Sequence, residues 1–206
     1  MKVYKYVVGV MGTNCYAVTD DTKEAIIIDP GNEPGRLIQA IESKELTLKY
    51  IVLTHCHFDH IMAVNELKEH FGASLCYSPD DLVLASDPAA NLSSRYGNAP
   101  YVLPEPDIAL TEGKTLSFGN TVLHIISTPG HTDGSICLVN EEERTIFCGD
   151  TVFRGCIGRY DFPYGDYSKL MKSVEKLSAL DGNYKLLPGH DVSTTLDEER
   201  QNSIYF

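Results

Sequence analysis

The segment Thr54-His55-Cys56-His57-Phe58-Asp59-His60 places three imidazoles and a carboxylate within the six residues 55–60. Converging histidines and a carboxylate compete for solvent and perturb one another's protonation, so such a run calls for a bound cation to reconcile them. In an extended segment the side-chain period is two, which turns His55 and His57 to the same side, where they can share one ion. Asp59 and His60 then open a helix. The turn between the two pairs lets them serve a second ion at the roughly 3.5–4 Å spacing of two-metal hydrolytic sites.

Two ions need more ligands than one loop supplies, and the candidates stand just past the ends of other apolar runs. Val52–Leu53 leads into Thr54-His55, Ile125–Ile126 into Thr128-Pro129-Gly130-His131, Phe147–Cys148 into Gly149-Asp150, and Leu186–Leu187 into Pro188-Gly189-His190. Taken singly, a Pro-Gly-His or a Gly-Asp after a strand is an ordinary turn. Taken with the 55–60 cluster, the set closes: His55, His57 and His131 on one ion, Asp59, His60 and His190 on the other, and Asp150 between them. These nitrogen-rich, thiolate-free donors favour zinc and also accept iron or manganese. His70, late in a polar helix, and His124, inside a strand, read as surface or structural residues. Alternation turns Cys56 away from His55 and His57, into packing.

The elements that must carry these residues follow from periodicity and punctuation. Strand patterns cover Lys2–Gly9, Cys15–Thr19, Ala25–Ile28, Leu48–Leu53, Ser74–Tyr77, Thr115–Phe118, Val122–Ser127, Ile136–Val139, Thr145–Cys148 and Lys185–Leu187. Helical patterns cover Glu33–Lys44, Asp59–His70 and Tyr167–Leu180, and the polar, Pro- and Asn-containing stretch Ser78–Pro106 reads as a long loop. Strands alternating with single helices imply an α/β fold.

Composition narrows the function further. The chain has 206 residues with 17 Lys+Arg against 29 Asp+Glu, a formal charge of −12. That field repels phosphate backbones and anionic membrane surfaces, which argues against nucleic-acid or membrane partners and suits cation binding. A chain of this length can bury a full core without metal or disulfide staples, so a metal here is expected to be catalytic. The six scattered cysteines (Cys15, Cys56, Cys76, Cys137, Cys148, Cys156) form no C-x-x-C and read as reduced thiols. With no signal-peptide pattern at the start, the expectation is a cytoplasmic, single-domain protein, monomeric or homodimeric.

In Asp29-Pro30-Gly31, the H-x-H-x-D-H run, His131, Asp150 and His190, in that order, the chain resembles the metallo-β-lactamase fold superfamily. The resemblance implies an αββα four-layer sandwich with a dinuclear metal site at one edge of the two sheets, and places Asp29 behind the ligand loop to steady it. Thr13-Asn14-Cys15-Tyr16, the segment Thr128–Ser135, Gly149–Phe153, Gly158–Pro163 and Pro188-Gly189-His190 are similar to glyoxalase II, the hydroxyacylglutathione hydrolases, in particular their short single-domain members. The longer members carry a helical C-terminal domain that holds glutathione, and here only Asp191–Phe206 follows His190. Arg159 matches the family's glutathione-contacting lysine. It reads either as a substrate contact or as a brace paired with Asp161, and Tyr160 is a further pocket candidate.

The implied chemistry is hydrolysis of a small thioester of the S-D-lactoylglutathione type by a hydroxide shared between two ions, with Asp59 and Asp150 as catalytic carboxylates. A thioester is apt because its thiolate, of pKa about 8.5, leaves without strong acid assistance. Two alternatives share the motif set: a single-iron persulfide dioxygenase using His55, His131 and Asp150, and a lactonase or other ester hydrolase.

Overall fold

The computed structural model describes residues 1–97 and 99–206. Strands β1 (Lys2–Val8), β2 (Thr13–Thr19) and β3 (Glu24–Ile28) form an antiparallel meander. Helix α1 (Pro34–Glu42) carries the chain to β4 (Thr47–Val52), which lies parallel to β3. Helices α2 (Phe58–Ile61) and α3 (Val64–Phe71) precede β5 (Ser74–Tyr77). A 3-10 turn at Pro79–Asp81, α4 (Leu82–Ser86) and α5 (Ser93–Tyr96) precede β6 (Ile108–Ala109). These six strands make one sheet in chain order.

The second sheet has the order β14-β13-β10-β9-β8-β7. It contains β7 (Thr115–Phe118), β8 (Thr121–Ser127), β9 (Ile136–Asn140), β10 (Thr145–Gly149), β13 (Lys185–Pro188) and β14 (Thr194–Thr195). β11 (Val152–Phe153) and β12 (Cys156–Ile157) form a small separate ribbon. α6 (Tyr167–Ser178) crosses over between the parallel β10 and β13, and α7 (Leu196–Asn202) follows β14.

Strand alternation divides the core into three layers. On β3, Ile26 and Ile28 face the second sheet with Tyr16, Val52, Leu123, Ile125, Leu138 and Phe147. Ile27, one residue out of phase, faces the helices with Leu37, Ile41, Val64 and Leu67. On the far side, Cys137, Val139, Ile146 and Cys148 pack on Val174 and Leu177 of α6 and on Leu196. The result is helix on sheet on sheet on helix, the four-layer sandwich expected.

Three expectations need correction. The helix read over Asp59–His70 is two helices, because the Ala63 amide turns out to the Pro30 carbonyl at 3.0 Å instead of continuing the ladder. Gly31 makes that docking possible, since a Cβ there would overlap the Asp59 carbonyl. The stretch Ser78–Pro106 is not one open loop: Ser78 caps the 3-10 turn by accepting the Asp80 amide, and two short helices follow. Helix α7 lies after His190, where no element was read. Among the described residues, no helix is long and apolar enough to cross a membrane.

Candidate metal centre

Every expected ligand stands just past a strand end on one edge of the sandwich. His55 and His57 follow β4, Asp59 and His60 sit on α2, His131 follows β8, Asp150 follows β10 and His190 follows β13. β8, β10 and β13 run the same way, so their ends open on the same edge. The two sheets are stitched there: the Ile136 amide donates to the Thr54 carbonyl at 2.9 Å and the Asn14 amide to the Gly189 carbonyl at 2.6 Å. Tyr16 adds its hydroxyl to the Pro188 carbonyl at 2.7 Å.

Three histidines have one ring nitrogen engaged from behind. His60 Nδ1 lies 3.0 Å from Asp29 Oδ2, His131 Nδ1 donates to the Arg159 carbonyl at 2.7 Å, and His55 Nδ1 lies 3.2 Å from Thr54 Oγ1. Each therefore presents Nε2 forward, the arrangement by which outer hydrogen bonds orient metal-binding imidazoles. His57 points Nδ1 at His131 Nε2, 2.9 Å away. The ligand-type atoms of His55, His57 and His131 all lie within 4.8 Å of one another, as do those of Asp59, His60 and His190. Asp150 stands between the groups, with Oδ1 3.4 Å from His60 Nε2 and Oδ2 3.6 Å from both His131 Nε2 and His190 Nε2.

His55 Nε2, His57 Nε2, His60 Nε2 and Asp150 Oδ1 are buried and have no hydrogen-bond partner. A buried polar atom left unpaired costs about 1–3 kcal/mol, and His55, His60 and Asp150 form one close group, so their unpaired atoms need a common partner. Divalent cations fit that need.

The electrostatics agree. Burial pushes His55 and His57 well below the ordinary histidine range, reinforced by His60 and His131 respectively, and burial lowers His131 against the pull of Asp150. These are neutral imidazoles, the metal-ready form. Burial also disfavours charge on His60, but Asp150, Asp59 and Asp29 outweigh it and raise the ring to about 10. The carboxylates that would hold a proton on His60 Nε2 would hold a cation there instead. Burial alone would raise Asp59, yet His60 and His190 keep it well below the usual carboxylate range.

Two buried carboxylates brace the ligand loops. Asp29, expected behind the ligand loop, accepts the Thr54 amide at 2.7 Å and its hydroxyl at 2.6 Å while holding His60. Asp81 was not anticipated. It accepts the Cys56 amide at 2.9 Å, the Thr132 hydroxyl at 3.1 Å and the Gly134 amide at 2.7 Å, tying the loop of His55 and His57 to the loop of His131. Its only sequence signal is a carboxylate three residues after the capping Ser78. Cys56 packs in the helix-side core, as alternation requires. Gly189 is obligatory: a Cβ there would collide with Asp150 Oδ1.

A cavity of about 540 Å³ opens over this centre, with His57, Asp59, His131, Asp150 and His190 at its floor. Arg159 lines it and is also paired with Asp161 through two bonds of 2.9 and 2.8 Å, with its guanidinium 4.0 Å over the Phe162 ring. Tyr160 is not in the lining. Its ring turns outward against Tyr167, centroids 4.9 Å apart, because the chain bends back and Gly165 packs on the Tyr160 backbone. His70 pairs with Glu42 at 2.9 Å on the surface, and His124 sits half-buried in β8.

Comparison with known proteins matches residues 8–190 to the family described as the metallo-beta-lactamase superfamily. The chain is 38% identical over 197 residues to hydroxyacylglutathione hydrolase GloC of Haemophilus influenzae, covering 92% of this chain and 91% of that protein. The BLEG-1 B3 metallo-beta-lactamase superposes with a TM-score of 0.93 at 33% identity, covering 99% of each chain. TTHA1623 in a di-iron-bound form superposes with a TM-score of 0.90 at 33% identity, covering 99% of this chain and 100% of that one.

Proposed function

The chain belongs to the metallo-beta-lactamase superfamily, and on that premise we propose that it is a two-metal hydrolase of small thioesters. The observation that carries this reading is the grouping of the buried, unpartnered His55 Nε2 and His60 Nε2 with Asp150, itself part of the lining of an open cavity. His55, His57 and His131 would hold one divalent ion, Asp59, His60 and His190 the other, with Asp150 shared. Bound ions of this kind polarise a carbonyl and bring the pKa of water close to neutrality.

The protein's own part is placement. Asp59 is fixed by Thr13, whose hydroxyl donates to Oδ2 at 3.2 Å, and stays ionised, a hydrogen-bond acceptor that would orient the attacking water. His131 and His60 are held at their rear nitrogens, so neither ring can swing as the substrate arrives. Besides the ligands, the lining is mostly aromatic and aliphatic, and among the described residues it holds no buried acid set to protonate a leaving group. A thioester needs none, because a thiolate of pKa about 8.5 departs readily. The likeness to a hydroxyacylglutathione hydrolase supports the thioester class.

The donor set favours zinc, and the di-iron neighbour supports iron as the alternative. The second group, Asp59, His60 and His190, is compatible with a single-iron dioxygenase as well, so metal content and oxygen uptake separate the two readings. A lactone or β-lactam is the second substrate class, favoured by the likeness to the B3 enzyme. Free thiols at all six cysteines suit a cytoplasmic setting. Metal content together with thiol release from S-D-lactoylglutathione tests the reading: two ions and rapid release support it, and release of neither thiol nor acid contradicts it.

A further inference from the structure

The cavity above the metal centre has a chemistry of its own, and it differs from what a charged peptide thiol needs. On one flank, Phe58 and Tyr96 are stacked with ring centroids 6.2 Å apart, Leu92 adjoins them, and Phe162 stands edge-on to His57 at 5.6 Å. On the other flank, Phe153 lies 6.2 Å from His190, and the half-exposed Met11 also lines the cavity. Charge is scarce and of the wrong sign for carboxylates. Arg159 is the only cation among the described lining residues, and Asp161 already takes it through two hydrogen bonds. Asp191 adds a further carboxylate at the rim.

Resting on the thioesterase reading, we propose that the pocket selects its substrate by an apolar acyl group, aliphatic or aromatic, seated between the Phe58–Tyr96 stack and Phe162, and does not select it by the carboxylates of the thiol carrier. The acyl carbonyl sits at the ligand-lined floor of the cavity, where bound ions would polarise it, and the hydrocarbon chain runs outward past Phe162. Apolar burial then sets specificity, and each methylene that enters the pocket raises kcat/KM roughly fourfold.

The test uses the metal-loaded full-length protein with the acetyl, butyryl and hexanoyl thioesters of N-acetylcysteamine, a neutral thiol, beside S-D-lactoylglutathione. The expected result is a rise in kcat/KM of roughly 15-fold for each two-carbon step until the pocket is filled. The hexanoyl-to-acetyl ratio should then collapse in Tyr96→Ala and Phe162→Ala. A flat or falling series, with S-D-lactoylglutathione hydrolysed faster than the hexanoyl ester, overturns the proposal and leaves the thioesterase reading standing. Hydrolysis of no thioester by protein that holds two ions overturns that reading instead. Calorimetric binding of the non-hydrolysable S-methyl and S-hexyl thioethers of the same thiol then decides the pocket's chemistry without turnover. Tighter binding of the hexyl compound upholds an apolar site, and equal binding, or preference for S-methylglutathione, refutes it.

Discussion

Oδ2 of Asp81 accepts the backbone amide of Cys56 at 2.9 Å, placing a buried carboxylate directly beneath the loop that presents His55 and His57. The same side chain holds Gly134 and Thr132 beside His131, so the three histidines of one metal group depend on one anchor outside the group. Replacing Asp81 by Asn removes one acceptor of the three-bond set while nearly preserving volume. Metal affinity should fall about 10- to 100-fold, as for other residues that orient ligands from behind. Metal content after dialysis against a graded chelator reads this directly, and unchanged retention would show that the loops hold themselves.

Asp81 also carries a pH signature. Burial raises its carboxyl to about 6, against the opposing pull of the Cys56 and Gly134 amides. Because the folded state binds this proton more tightly than the unfolded chain, the associated stability is complete below about pH 4 and is lost as pH rises through 6. Metal-free wild type should therefore lose about 2 kcal/mol relative to Asp81→Asn between pH 4 and 7. Denaturant unfolding across that range measures it, and parallel curves would place the proton elsewhere.

Much of this centre is legible in the sequence because its ligands are grouped or punctuated. His55, His57, Asp59 and His60 lie in one run, and His131, Asp150 and His190 each follow an apolar strand through a glycine turn. Asp81 was not legible, since its role arises from three amide and hydroxyl donors 25 to 53 positions away. The outward turn of 160–165, which stacks Tyr160 on Tyr167, was not legible, since it rests on a left-handed Tyr164, φ 66°, which no pattern announces. Helix α7 did have a signal: Thr195 and Glu198 have the spacing of a capping box, and Thr195 accepts the Glu198 amide at 3.2 Å.

Chelation should lower stability without unfolding the protein. Three apolar layers stand independently of the ligands, so loss of each ion present at about a thousandfold over its Kd removes about 4 kcal/mol. For a chain of this size that lowers Tm by roughly 8–16 °C. Calorimetry with and without chelator checks this, and complete loss of the transition would make the metals structural.

Gly189→Ala should cripple the centre although it adds one methyl group, because the new Cβ would strike Asp150 Oδ1. Reduced metal content with an intact far-ultraviolet spectrum is the expected result. Normal loading would show that Asp150 can move aside without consequence.

The central claim, a two-metal thioester hydrolase, is tested most directly by thiol release from S-D-lactoylglutathione and the neutral thioesters, on protein of measured metal content, with Asp150→Ala as the blank. The account predicts two ions per chain and release at least about a hundredfold above the blank, which keeps its fold. One iron per chain, oxygen uptake with a persulfide and no thiol release would contradict it.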